Sequence, residues 1–310
     1  MPFGPQTERM QTFLPFPDFK QCAAVLDTAR LGKQRVEALQ ILRALVIPEF
    51  GRPSHPAIRM WMGYVPALTL YGLAMVDEWV ARGNPDNTRA SITEFAPQAA
   101  HPDYASRIPM PPWLGDADFH LSHRSKLLQK EPRFYAELFP DTPNDLEYLW
   151  PEPSHEFIPE DPYDDFIWVL RAPVGDVEPE KIDKVGMPAA GKAKAANSDG
   201  DGYQFVYASE TSRRPGKTAR KAPKQLVKKP TRNRQRQDEA FRTLPGNTSV
   251  LVPIEGGAKF ALGKVLGRPI TLEDGRFGRN FEVTKIIDRA DFDYPALLQD
   301  PRAFFPIPAP

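Results

Sequence analysis

Between Ser212 and Gln237 the chain reads SRRPGKTARKAPKQLVKKPTRNRQRQ, with eleven lysines or arginines and no acid. Charge at that density, broken by Pro, Gly and Thr, leaves too little apolar surface to offset the entropy lost on ordering the backbone. This stretch cannot form the interior of a domain, so the 310 residues must fold on either side of it. An opposite bias precedes it: Asp141 to Glu180 holds twelve acids and a single base, Arg171. The balance of 40 basic and 40 acidic side chains therefore conceals two segments of strong and opposite charge. The sequence divides accordingly into a domain over residues 10–150, an acidic then basic linker over 151–237, and a small domain over 244–310. The linker reads as largely irregular, with its basic part disordered. Segment 212–237 suits non-specific contact with nucleic acid, since neutralising phosphates releases counterions. A solubilising linker, or one folding back on the acidic segment, is the alternative.

The first domain reads as mainly α. After the extended QTFLPFPDF, Asp18 or Asp27 can cap helical segments that run toward Val46, where Pro48 and Gly51 end the pattern. A second long helix is expected from about Val65 to Arg82, with Leu68, Tyr71, Leu73, Met75, Val76, Trp79 and Val80 buried and Gly83 as terminator. A third runs from Asp116 to about Leu138 and is interrupted near Pro132. Residues 84–115, rich in Pro, Asn and Asp, read as a long connecting loop. Within the linker, DDFIWVLRAP and GYQFVYASE could each contribute a short strand. From about Leu244 the runs NTSVLVPIEG, AKFALGKVLG, RPITLE and FEVTKIID are β-prone and separated by Gly-containing turns, which marks a small β-rich domain. Its tail, ADFDYPALLQDPRAFFPIPAP, suggests a turn of helix with an aromatic-proline segment packed on it.

Several functions have no support. The one cysteine, Cys22, sits in the apolar run CAAVL, so there is no disulfide framework and a reducing, cytoplasmic setting fits. Apolar runs are short, and MPFGPQTERM lacks the organisation of a signal peptide, so neither a membrane partner nor a membrane span is expected. The chain has no GxGxxG, Walker loop, CxxC pair or GxSxG elbow, and no cofactor is required. EGGAKFALGKVLGR sits among β-prone runs without a following helix and reads as hairpin turns. His120 and His123 share a helix face at i,i+3, but no third ligand follows at a recognisable spacing, so no metal is expected.

The stretch DTARLGKQRVEALQIL, residues 27–42, carries the chemistry. At 3.6 residues per turn Arg30, Lys33, Gln34 and Glu37 share one face, while Leu31, Val36, Leu39 and Leu42 supply much of an apolar one. One carboxylate thus sits among cations. The plain reading is a solvated face with an i,i+4 pair between Lys33 and Glu37. An acid facing a polyanion is a poor phosphate binder, so the alternative is that Glu37 does chemistry.

LGKQRVEALQILRAL is followed by SHPAIRMWMGYVPALTLYGLAMVDEWVARG and then by PPWLGDADFHLSHRSKLLQKEPRFYAELFP. In this order the three stretches resemble the bacteriophage pyrimidine-dimer DNA glycosylase (endonuclease V) family and its longer bacterial relatives, over about residues 10–150. The resemblance implies a compact helical repair domain that acts on damaged double-stranded DNA, attacks the sugar C1′ with an amine and cleaves the glycosidic bond. It also implies nucleoid association. Matching the preceding leucine and glutamine places Glu37 on the family's essential glutamate, which assists ring opening and takes the C2′ proton in β-elimination. Arg30, Lys33 and Arg35 would then hold phosphates around it, with His55 and Arg59 at the bent strand and His123, Arg124 and Lys126 on further phosphates. The residues alone also allow His55 and Arg59 to be a structural cap or stacking contact, and the third stretch to be a solvated helix.

The amine departs from the family pattern, in which it is the α-amino group of the second residue, unprotonated because an α-amine titrates near ~8. Here the matching segment begins at Met10. Three amines stay open: the secondary amine of Pro2 after loss of Met1, the α-amine of Met10 if translation starts there, and a deprotonated Lys33. The β-rich domain is faintly similar to PUA-like barrels that bind RNA or modified bases in DNA. A non-catalytic DNA-binding or modified-base-sensing protein on the same scaffold is the alternative function, and an RNA-associated factor a third.

Overall fold

The computed structural model describes residues 10–51, 54–153, 166–171, 174–175, 203–207, 239–271 and 277–309. Pro2, the basic segment 212–237 and most of the expected linker lie outside the described residues. The chain divides into two units, Met1–Pro159 and Glu160–Pro310.

The first unit is helical. Helices α1 (Phe19–Val25) and α2 (Thr28–Val46) each begin at an aspartate whose side chain accepts from a first-turn amide: Asp18 from Gln21 N at 2.8 Å and Asp27 from Arg30 N at 3.0 Å. After the short α3 (Pro56–Arg59), helix α4 (Val65–Ala81) packs on α2. Gly32 makes that approach close, because a Cβ there would lie 2.7 Å from the Trp79 ring. The C-terminus of α1 is held by Arg82, whose guanidinium donates to the Leu26 carbonyl at 2.6 Å and to that of Ala24 at 2.9 Å. Gly83, at φ +83°, ends α4 as expected.

Residues 84–115 are not a bare loop. They contain α5 (Arg89–Thr93), a 3-10 turn (Pro97–Ala100) and α6 (Pro102–Ala105), and Ile92, Ala96 and Ala99 join the core. Helix α7 (Ala117–Lys130) is capped by Asp116, and the break at Pro132 separates it from the single turn α8 (Pro132–Tyr135). Two expected core positions face solvent: Val36 is 38% and Val80 49% exposed. The first sits on α2 away from the extended segment Gln11–Leu14, which is itself buried and covers the face of Gln34 and Glu37.

The second unit is a seven-stranded mixed sheet in the order β2-β3-β6-β5-β4-β1-β7. Its strands are β1 (Phe166–Leu170), β2 (Val174–Gly175), β3 (Tyr203–Tyr207), β4 (Ser249–Ile254), β5 (Lys259–Thr271), β6 (Phe277–Asp288) and β7 (Phe304–Pro308). β1 to β3 come from the stretch read as a largely irregular linker, two of them from the runs noted there as β-prone, so the sheet begins well before residue 244. FIWVL has enough apolar length to pair, parallel to β4 at Trp168↔Val250 and antiparallel to β7 at Trp168↔Pro306. KFALGKVLG and RPIT form one strand, β5, whose register against β6 shifts twice. At the first shift Gly263 is required, since a Cβ would lie 2.2 Å from the Glu282 carbonyl oxygen. The aromatic-proline tail is the edge strand β7, where Pro306 and Pro308 cost the sheet no ladder bond. Arg279 on β6 is wholly buried, donating to the carbonyls of Leu244 at 2.9 Å and Gly267 at 2.8 Å.

Candidate active site

The extended segment Gln11–Leu14 passes among α2, α4 and α7, and each helix grips its backbone. From α2, the Gln34 carboxamide meets four partners. Its Oε1 accepts from Phe13 N at 2.8 Å and from the Tyr71 hydroxyl of α4 at 2.5 Å. Its Nε2 donates to the Gln11 carbonyl at 3.0 Å and to Glu37 Oε2 at 2.6 Å. The orientation of the amide is forced, because Phe13 N can only donate and the Gln11 carbonyl can only accept. From α7, two histidines clamp one residue. The Leu14 amide donates to His123 Nδ1 at 3.1 Å, and the Leu14 carbonyl accepts from His120 Nδ1 at 2.7 Å. His120 Nε2 in turn accepts from Gly115 N at 3.0 Å, which places its proton on Nδ1.

Glu37 lies at the edge of this clamp. It is 4% exposed, with Oε1 3.1 Å from the Lys33 ammonium and Oε2 on Gln34. Burial raises its carboxyl to about 7, against the pull of Lys33, the Gln34 hydrogen bond and the more distant Lys130 of α7. A carboxyl balanced there holds protonated and ionised forms in comparable amounts at neutral pH, as a group that both gives and takes a proton requires. The i,i+4 pair with Lys33 exists, but it is not a solvated surface pair: the lysine side chain is half exposed and the glutamate is buried. The shared Gln34 amide brings the backbone just after Met10 to the same carboxyl, whereas Pro2 lies outside the described residues.

The cations assigned to phosphate are dispersed. Arg30 folds onto Asp27 at 2.6 Å and over the Tyr135 ring, and Arg35 pairs with Asp86 at 2.7 Å and stacks on Trp79. Arg35 is thereby turned from Glu37 and holds α2 to the chain after α4. His55 caps α3 by accepting from Ala57 N at 3.1 Å and meets Trp150 edge-on. Arg59 is exposed and reaches Glu152 at 3.1 Å. Arg124 donates to the Pro15 carbonyl at 2.8 Å, and Lys126 lies against Gln129 and the Tyr148 ring.

His123 needs correction: it is wholly buried, so it offers no surface to a phosphate. Burial lowers its pKa to about 3, with His120 adding to the effect and the Thr12 carbonyl opposing it, so the ring stays neutral. Gln34 and Tyr71 were missed as site residues. The only signal for Gln34 was its place three residues before Glu37. Among the described residues no cluster of His, Cys, Asp or Glu could hold a metal ion, and no helix is long and apolar enough to cross a membrane.

Residues 10–91 match the family model described as pyrimidine dimer DNA glycosylase. The match takes in Gln11–Leu14, Lys33, Gln34, Glu37 and Tyr71, and it ends within α5, before the histidines of α7. No curated protein and no solved structure matches the chain.

Proposed function

We propose that the helical unit is a DNA glycosylase with an associated lyase step, acting on pyrimidine dimers in double-stranded DNA through an endonuclease V-like fold. Glu37 is its acid–base residue. The carrying observation is a buried carboxyl poised at about 7 beside the chain that follows Met10, within the segment that matches the family. In the proposed reaction an amine attacks C1′ and the bond to the base breaks, the base leaving with a proton. Protonated Glu37 gives its proton to the ring oxygen O4′ as the sugar opens to an imine. The resulting carboxylate then takes the C2′ proton, and the 3′ phosphate leaves by β-elimination.

The amine is that of Met10 in a chain beginning there, that of Pro2, or Lys33 Nζ, which already lies 3.1 Å from Glu37 Oε1. Lys33 and Lys130 would also draw phosphates toward the carboxyl, with Arg59, Arg124 and Lys126 farther along the strand. Borohydride reduction on duplexes carrying a thymine photodimer or an abasic site tests the reading, using chains that begin at Met1 and at Met10. A covalent adduct on the photodimer duplex supports it, and peptide mapping identifies the amine. DNA binding with no adduct on either duplex would overturn it in favour of a non-catalytic reader of DNA.

A further inference from the structure

The Gln34 carboxamide is positioned with unusual completeness for a side chain that is no part of the reaction proposed above. Both hydrogens and both oxygen lone pairs are engaged, and the residue is wholly buried. Its oxygen side faces Phe13 N and Tyr71, and either could be satisfied by any acceptor there. Its nitrogen side is more specific: one NH2 group bridges the carboxyl of Glu37 and the carbonyl of Gln11, at 2.6 and 3.0 Å. The one amide is thus a donor shared by the two oxygens, linking the carboxyl to the backbone.

We propose that Gln34 is a positioning residue that sets the distance and orientation between the Glu37 carboxyl and the backbone beginning at Gln11. The inference rests on Glu37 being the acid–base residue, but the hold of Gln34 on Glu37 can be measured whether or not the chain cleaves DNA. Bridging from one amide fixes two things at once. It aims Oε2 toward the extended segment Gln11–Leu14, leaving Oε1 to Lys33, and it favours the ionised carboxyl, opposing the desolvation that raises it. The other groups facing Glu37 are Lys33 on its own helix, Lys130 from α7 and the Tyr71 hydroxyl from α4.

The test compares Gln34→Met with Tyr71→Phe in the full chain. Both loosen the network around Phe13, but only the first removes the donor to Glu37. The carboxyl of Glu37 is titrated by carbon-13 NMR, with Glu37→Gln identifying the resonance, and the pH profile of borohydride trapping on an abasic duplex is recorded alongside. The expected result is an upward shift of the Glu37 midpoint by about one unit in Gln34→Met and little movement in Tyr71→Phe. Where trapping occurs, its profile moves with the midpoint. Equal midpoints in wild type and Gln34→Met, or equal shifts in both variants, would overturn the proposal and leave Gln34 a structural residue. If Gln34→Met does not fold, Gln34→Leu, which likewise has no donor and no charge, takes its place, and an unmoved Glu37 midpoint there overturns it equally. A chain that never traps DNA in any form refutes the proposed function, while the midpoint shift still decides the role of Gln34.

Discussion

Glu37 in the helical unit and Arg279 in the sheet unit are both ionisable side chains taken out of water, and they are held in opposite ways. The terminal nitrogens of Arg279 donate to backbone carbonyls of Leu244 and Gly267, groups that never titrate. It is a clasp: the guanidinium stays charged and ties the bulged strand β5 to the turn before β4. Glu37 is held by a half-exposed lysine and one amide, and burial lifts it to about 7, so its charge is undecided at neutral pH. Burial of a charge therefore does not mark a functional site. What the partners decide is whether two protonation states stay within reach.

The largest effect that sharpens this contrast is on activity. Glu37→Gln should lower the rate of borohydride-trappable adduct formation about 10²–10⁴-fold, measured under single-turnover conditions at pH 7, while DNA binding persists. Undiminished rates would remove Glu37 from the chemistry. Arg279→Met should cost the sheet unit about 3–5 kcal/mol, read by guanidinium denaturation with hydrogen exchange across β5 and β6, and should not move the Glu37 midpoint. A loss below about 1 kcal/mol would break the comparison, because Arg279 would then be no clasp.

Acidity separates the two groups further. Glu37 is raised from 4.5 to about 7, so the folded state binds more protons than the unfolded state between those values. Stability falls as pH rises through that window and is level above it. The variant Glu37→Gln should gain up to about 3 kcal/mol over wild type from pH 5 to pH 8, seen as a diverging Tm. His123 is depressed from 6.5 to about 3, which gives the other sign: the unfolded chain takes up the proton first, and stability falls as pH drops below 6.5. The loss is about 2 kcal/mol by pH 5. His123→Asn, which keeps an acceptor toward Leu14, should show a shallower decline over pH 6.5 to 4, even if its absolute stability is lower. Smallest of all, Arg59→Ala should change stability by no more than about 1 kcal/mol in thermal melts, because its pair with Glu152 is exposed on both sides.

Local signals were legible where the partner is local. Asp18, Asp27 and Asp116 announce their helices because the capped amides lie three residues on, and Gly83 announces an end in the same way. The polarity of the α2 face and the odd carboxylate on it were also legible. That Gln34 and Glu37 are covered was not, since the cover is an extended segment some 20 residues upstream. The two histidines of α7 had the spacing of a ligand pair, and His123 was assigned to phosphate. Their actual role, clamping Leu14, depends on bonds spanning 106 and 109 residues. Val36 and Val80 were assigned to the core by periodicity, which finds a helix face but not what packs on it. In the sheet, FIWVL and YQFVY were visible as strands, yet the charged composition around them concealed that they pair with the C-terminal ladder.

The clamp on Gln11–Leu14 sets an order of events during synthesis. This is the first part of the matched segment to leave the ribosome, but its last partners, His120 and His123, are made about 110 residues later. At ordinary elongation rates that is a wait of about 5–20 s, during which Phe13 and Leu14 have no finished core to enter. A nascent chain stopped before α7 would hold Gln11 and Phe13 through Gln34 but leave Leu14 unclamped, so the fastening of this segment beside Glu37 is completed only when that helix arrives.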